Sequence, residues 1–208
     1  MTDKVDFKKT LDGYKARQGQ FRLIDVPDTR YLMADGHGDP NTSPDFAAAV
    51  EALYPLAYKM KFLSKRELGR DYVVPPLEGL WWAGDMDAFT TARDKSLWDW
   101  TLMLMVPDWI DPSLVPADEK VRLQTLSEGK CVQTLHVGSF DDEAGVLARL
   151  HDEVIPGQGL RMTGTHHEIY LSDARKVAPE KRRTILRQPV ADGTGAPSLR
   201  PGRSADPR

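Results

Sequence analysis

The sequence predicts an α+β fold made of two tandem strand–helix–strand–strand units with a ligand groove between them. Three observations predict it. Short alternating runs are separated by Gly- and Pro-containing turns. Two helical segments start at polar caps. The order strand, Gly-containing turn, capped helix, strands occurs in 30–83 and again in 131–171.

Phe21–Val26 and Arg30–Ala34 read as short strands around a turn at Pro27-Asp28. Ser43 caps a helix whose first position is Pro44, where the missing N–H costs nothing. Phe46, Val50, Leu53, Ala57 and Met60 then form one apolar face, with Pro55 predicting a kink. Tyr72–Val74 and Leu77–Trp82 read as strands on either side of Pro75-Pro76, and Trp98–Val106 reads as another. Ala117–Leu126 is expected to be helical and Lys130–Val137 a strand. Asp141 is the expected cap of the next helix, whose buried stripe is Val146, Leu147, Leu150 and Val154 and which Pro156-Gly157 ends. His166–Leu171 and Thr184–Val190 complete the strands. Residues 1–20 form an N-terminal extension, the folded domain spans 21–190, and 191–208 is a disordered tail rich in Gly, Pro, Ser and Arg.

Composition narrows the function. Of 208 residues, 40% are hydrophobic and 28% charged, which suits one folded body. No apolar run reaches the roughly 18 residues of a membrane helix, and no signal peptide opens the chain. Cys131 stands alone, so no internal disulfide forms; a cytoplasmic protein is expected. The net charge of -3 is uneven: 172–208 holds nine Lys/Arg and four Asp/Glu, leaving an acidic body. That argues against direct nucleic-acid binding and suits a neutral or cationic small molecule, although moderate negative charge also serves solubility.

Glu168 and Tyr170 lie two apart on a strand, so they share a face at about 7 Å. A carboxylate beside a phenol can hold a cation or activate a water; a solvated sheet face is the plain alternative. Trp81, Trp82, Trp98, Trp100 and Trp109 are many for this length. Trp98 and Trp100 share a face, and such rings stack on planar ligands or fill a core. Trp81, Trp98, Trp100 and Tyr72 are the aromatic candidates for ligand contact. Glu78 is the carboxylate matching Glu168 in the first repeat, and Glu180 is a second catalytic candidate. His166-His167-Glu168 holds metal-ligand types, but neighbouring strand residues face opposite ways, so no metal or other cofactor is expected. Gly36-His37-Gly38 lacks the rest of a phosphate loop and reads as a tight turn.

Cys131–Glu143, CVQTLHVGSFDDE, and Glu168–Arg187, EIYLSDARKVAPEKRRTILR, resemble the GyrI-like small-molecule-binding proteins. Leu77–Trp82 and Leu32–Pro40 are similar to them as well. The resemblance implies the tandem fold with its groove, and a buried Glu at the place of Glu168 that pairs with cationic aromatic drugs in the multidrug sensors. The YLSD and APEK segments resemble a stand-alone subfamily, the cyclopropanoid cyclopropyl hydrolases, which add water to the reactive cyclopropane of DNA-alkylating natural products of the yatakemycin type. The expected function is binding of planar hydrophobic compounds with hydrolysis of such alkylators, Glu168 acting as base or anchor and Tyr170 orienting ligand or water. Non-catalytic drug sequestration, or sensing on behalf of a separate regulator, is the alternative.

Overall fold

The computed structural model describes residues 4–84 and 94–193. Nine strands form one antiparallel sheet system: β1 (Arg22–Val26), β2 (Thr29–His37), β3 (Glu78–Ala83), β4 (Trp98–Val106), β5 (Arg122–Leu126), β6 (Gly129–Val137), β7 (Leu160–Met162), β8 (His166–Tyr170) and β9 (Arg183–Asp192). The order is β1-β6-β9-β8-β3-β4-β2-β5, with β7 against β9. β1 and β2 do not form the hairpin expected around Pro27-Asp28. β1 pairs with β6 and β2 with β5, in one register from Arg22↔Gln133 to Met33↔Arg122. Pro27-Asp28 and Ser127-Glu128 therefore bend two long strands of a shared ribbon instead of reversing them, and the sheet curls back on itself through that ribbon.

The repeat is a shift of 100 residues at its start: Arg22–Val26 and Thr29–His37 recur as Arg122–Leu126 and Gly129–Val137. This overturns the helix expected over Ala117–Leu126. Arg122-Leu123 repeats Arg22-Leu23, and the β2 edge supplies hydrogen bonds that local propensity does not. Tyr72–Val74 is likewise no strand; Tyr72 makes only an isolated bridge with Val5. The folded chain also begins before Phe21. A short helix, α1 (Phe7–Thr10), buries Phe7 against Trp109, and Tyr14 is buried further on. At the other end β9 continues to Asp192; the expected tail lies outside the described residues from 194 onward.

Both helical layers lie on one side of the sheet. α2 (Pro44–Glu67) starts at Ser43, whose hydroxyl accepts from the Asp45 N–H, and it runs through the exposed Pro55. It buries Leu53, Leu56, Ala57 and Met60 on β2 and β4. The second layer is irregular. The chain enters at Ser139 through a 3-10 turn, Phe140–Glu143, so Asp141 lies inside the turn and is not its cap. α3 (Ala144–Ala148) follows, then a π-helical turn (Arg149–Val154) and α4 (Ile155–Gly157). The π turn brings Leu150 and Ile155, five apart, into the same small core with Val132 and Val190; Val146, Leu147 and Val154 are only half-buried.

The opposite face of β3 and β8 carries a buried charge network. His167 Nε2 meets Glu78 Oε2 and its Nδ1 meets Glu128 Oε1, both at 2.9 Å. Both partners are acceptors, so both ring nitrogens donate and the imidazole is a cation. Burial lowers the His167 pKa, but the Glu128 charge and the two hydrogen bonds outweigh it and raise the value above 6.5. Arg187 donates to Glu128 Oε2 at 2.9 Å, to Gln133 Oε1 at 3.1 Å and to the Gly13 carbonyl at 2.7 Å. Tyr14 and Tyr31 donate to Glu78 at 2.5 and 3.2 Å. Two carboxylates thus face two cations, and the remaining acceptors are filled.

Glu128→Gln removes the group that serves both cations. Urea unfolding at pH 7 is expected to show a loss of about 3–5 kcal/mol, the range for breaking a buried pair. Burial raises the Glu128 pKa, but His167 and Arg187 hold it down at about 2 against an ordinary 4.5. The wild-type advantage is therefore complete above 4.5 and is lost as pH falls through about 2. An equal gap between the two proteins at pH 7 and pH 2 would contradict this account.

Candidate functional site

A cavity of about 930 Å³ opens between the two helical layers, over the centre of the sheet. Its floor is β3 and β8. Alternation on β8 turns His166, Glu168 and Tyr170 toward the cavity and leaves His167 and Ile169 on the other face. α2 supplies one wall with Phe46, Val50 and Tyr54, and the second layer supplies Phe140, Glu143 and Leu147. Trp81 and Trp98 meet edge to face at 5.8 Å and close one side. The volume is within the roughly 300–1,000 Å³ of small-molecule sites.

The absence of a side chain at Gly79 shapes this floor. Gly79 lies opposite Glu168 on the paired strand. A Cβ there would fall 2.7 Å from Trp81 Nε1 and 3.1 Å from Tyr170 Oη. The space it leaves lets Trp81 Nε1 donate to Tyr170 Oη at 3.0 Å, while Tyr170 donates to Glu168 Oε2 at 2.8 Å. Burial, followed by the Glu168 charge, raises the Tyr170 pKa well above 10, so the phenol keeps its proton and remains a donor. Glu168 Oε1 is then the oxygen left for other partners; His166 Nε2 lies 3.6 Å from it.

Glu143 completes the site. It is 4% exposed and its Oε1 has no hydrogen-bond partner among the described residues. Burial first, then the negative charge of Glu168, push its carboxyl up to about 10. Glu143 therefore keeps its proton well above the ordinary carboxyl range, in a mostly apolar cavity. Two carboxyl groups with environments this different can divide acid and base roles.

Of the residues expected from sequence, Glu168, Tyr170, Trp81 and Trp98 come together at the cavity. Trp100 is fully buried beneath it, packed on Phe46 and Trp81, with its ring over Gly36 where a Cβ would meet it at 2.0 Å. Tyr72 lies in a separate cluster with Phe7 and Trp109. Glu180 is exposed on the turn Pro179–Lys181, outside the lining. Glu78 belongs to the charge network on the far face. Its match to Glu168 is off by one: Tyr31 faces Met105 as Cys131 faces Pro189, so Glu78, facing Met103, corresponds to His167, facing Arg187. Gly79 then corresponds to Glu168 and Trp81 to Tyr170.

Glu143 and His166 were not among the expected site residues. Glu143 sits four and seven residues before Leu147 and Leu150, on their stripe, and that spacing is the signal that marks it. Among the described residues, no group of three His, Cys, Asp or Glu is arranged to hold a metal ion.

The family described as the GyrI-like small molecule binding domain matches residues 19–191. A crystal structure of an uncharacterized conserved protein from Listeria innocua is 38% identical, with a TM-score of 0.79 over 90% of this chain and 100% of that one. A hydrolase from Listeria innocua is 37% identical, with a TM-score of 0.75 over 90% of this chain and 100% of that one. The EcmrR C-terminal domain is similar in fold alone, at 14% identity and a TM-score of 0.56, over 83% of this chain and 98% of that one. No curated protein matches the chain.

Two outcomes are expected from this geometry. Gly79→Ala should separate Trp81 from Tyr170 and weaken binding of a planar aromatic cation by about 3–10-fold, the worth of roughly one hydrogen bond; a tryptophan-fluorescence titration with unchanged affinity would count against the floor described. Glu143, raised from 4.5 to about 10, costs the fold stability progressively as pH climbs between those values. Thermal melts of Glu143→Gln should therefore lose less stability than wild type between pH 5 and pH 9, and parallel profiles would show that Glu143 is not held neutral.

Proposed function

The chain belongs to the GyrI-like small-molecule-binding family, and from that premise we propose that it is a hydrolase that adds water to planar, strained electrophiles, with cyclopropane-bearing DNA-alkylating compounds as its substrates and protection from them as its role. The observation that carries this reading is the buried Glu143, with an unpartnered oxygen, lining the same aromatic-walled cavity as Glu168. Hydrolysis of a strained ring needs an acid and a base on one ligand, without a nucleophilic serine.

In this reading Trp81, Trp98 and Phe140 hold the planar body of the ligand. Tyr170 fixes Glu168 through Oε2. Glu168 Oε1 removes a proton from a water as the water oxygen bonds to a ring carbon. The ring carbon–carbon bond breaks, and its electron pair passes into the acceptor conjugated with the ring. Glu143 gives the acceptor atom its proton. The relative at 37% identity, a hydrolase from Listeria innocua, supports the reaction class. General acid–base assistance of this kind contributes about 10²–10⁴-fold.

With a yatakemycin-type alkylator in large excess over protein, chromatography is expected to show many equivalents of the water adduct. Glu168→Gln and Glu143→Gln should each lower the rate by about 10²-fold or more while the compound still quenches tryptophan fluorescence. Product that stops at one equivalent, or forms no faster than in buffer, would leave a sequestering protein in place of an enzyme.

A further inference from the structure

His166 and His151 are half-buried imidazoles that the reaction above does not use. Both nitrogens of His166 are buried without a hydrogen-bond partner among the described residues, and so is Nε2 of His151. Buried polar atoms left unpaired are costly and uncommon. Here they occur on two elements that face each other, β8 and the π turn, with the rings edge to face at 5.8 Å. His166 lines the cavity floor, with Nε2 3.6 Å from Glu168 Oε1. Oε2 of the same carboxylate is taken by Tyr170. The oxygen next to His166 is therefore the one that receives the proton of the attacking water.

Each addition of water leaves Glu168 with a proton it did not have and Glu143 without one it had. A second turnover requires the first to leave and the second to be replaced. A flat apolar ligand filling the cavity excludes the water that would carry protons along the front. We propose that His166 is the relay that clears Glu168 between turnovers, passing its proton to His151 in the second helical layer beside the cavity; this rests on the hydrolytic reading above. One nitrogen of His166 accepts the proton from Glu168 Oε1 while the other releases one toward His151, so the ring ends neutral in its other tautomer and turns over before it accepts the next proton. His151 is only half-buried and hands the proton to solvent. Glu143 regains its proton from solvent when product leaves. Burial, then His166, pull the His151 pKa down to about 4, so it is neutral and able to accept, and it does not retain the proton. The charged groups acting on the pair are Glu168 on the His166 side and Asp152 on the His151 side. The separation of 3.6 Å exceeds a hydrogen bond, and such catalytic contacts tighten once ligand is bound.

The test separates the first turnover from those that follow, using the same yatakemycin-type alkylator. With protein in excess, His166→Gln should form one equivalent of adduct at a rate within about 3-fold of wild type. With substrate in excess its steady-state rate should fall by about 10-fold or more, giving a burst followed by a slow phase, and added imidazole should restore some of that rate. His151→Gln should show the same split, which keeps the proposal testable if His166→Gln fails to fold. Equal loss in both regimes without imidazole rescue would make His166 a support for Glu168 and overturn the relay, as would a steady-state rate equal to wild type in both variants. Wild-type protein that never passes one equivalent would overturn the hydrolytic reading itself, and the relay with it.

Discussion

A histidinium held between two buried carboxylates fixes the joint on which this molecule depends. His167 on β8 bonds to Glu78 on β3, its own counterpart in the other repeat, and to Glu128 at the bend between β5 and β6. Among the described residues, the β3–β8 register is the one place where the two repeats meet strand to strand in the middle of the sheet. A slip of one residue there would turn Glu168 and Tyr170 into the core and bring His167 into the cavity. The charge network makes such a slip very costly, since it would separate the carboxylates of Glu78 and Glu128 from His167 in a dry interior. Tyr14 and Gly13 extend the constraint to the N-terminal segment, which caps the network from outside the region that defines the family.

The two faces of β8 treat charge in opposite ways. On the far face each charged group has its partners, and Glu128 is held as an anion. On the cavity face Glu143 is buried with an unfilled oxygen, and both His166 nitrogens are unpaired among the described residues. Unsatisfied groups in a buried site are a cost to folding that a ligand or a reaction can relieve. The satisfied network lies directly behind the unsatisfied one, one residue away along the same strand, and stiffens the floor on which the reactive groups stand.

Much of this was legible in the sequence because it is local. An apolar β-type run marked the strand from Trp98 to Val106, and Ser43-Pro44 marked the first helix. Glu168, Tyr170, Trp81 and Trp98 followed from period two and composition. What was not legible depends on partners far along the chain. Arg122–Leu126 is a strand because β2 offers an edge, and Tyr72 is core because Phe7 and Trp109 reach it. Glu78 looked like the twin of Glu168 because the two share a residue type, whereas the pairing gives Gly79 that place, and a glycine there is what opens the floor. The shift of 100 residues was visible in Arg22-Leu23 and Arg122-Leu123, and in Gly38 and Gly138, but only to a search for equal spacing instead of like order.

The shared ribbon bears on how the chain comes into being. Each repeat lends its first strand to the other: β1 completes the sheet beside β6, and β5 completes it beside β2. Neither repeat is a unit that closes by itself, however alike the two are. On the ribosome the first half emerges with α2 and β4 able to pack, but Arg22 has no strand partner until Gln133 has been made. Pairings across such a span form late and slowly. Until then β1 and the outer edge of β2 are bare, and the growing chain is at its most adhesive after the first repeat looks finished.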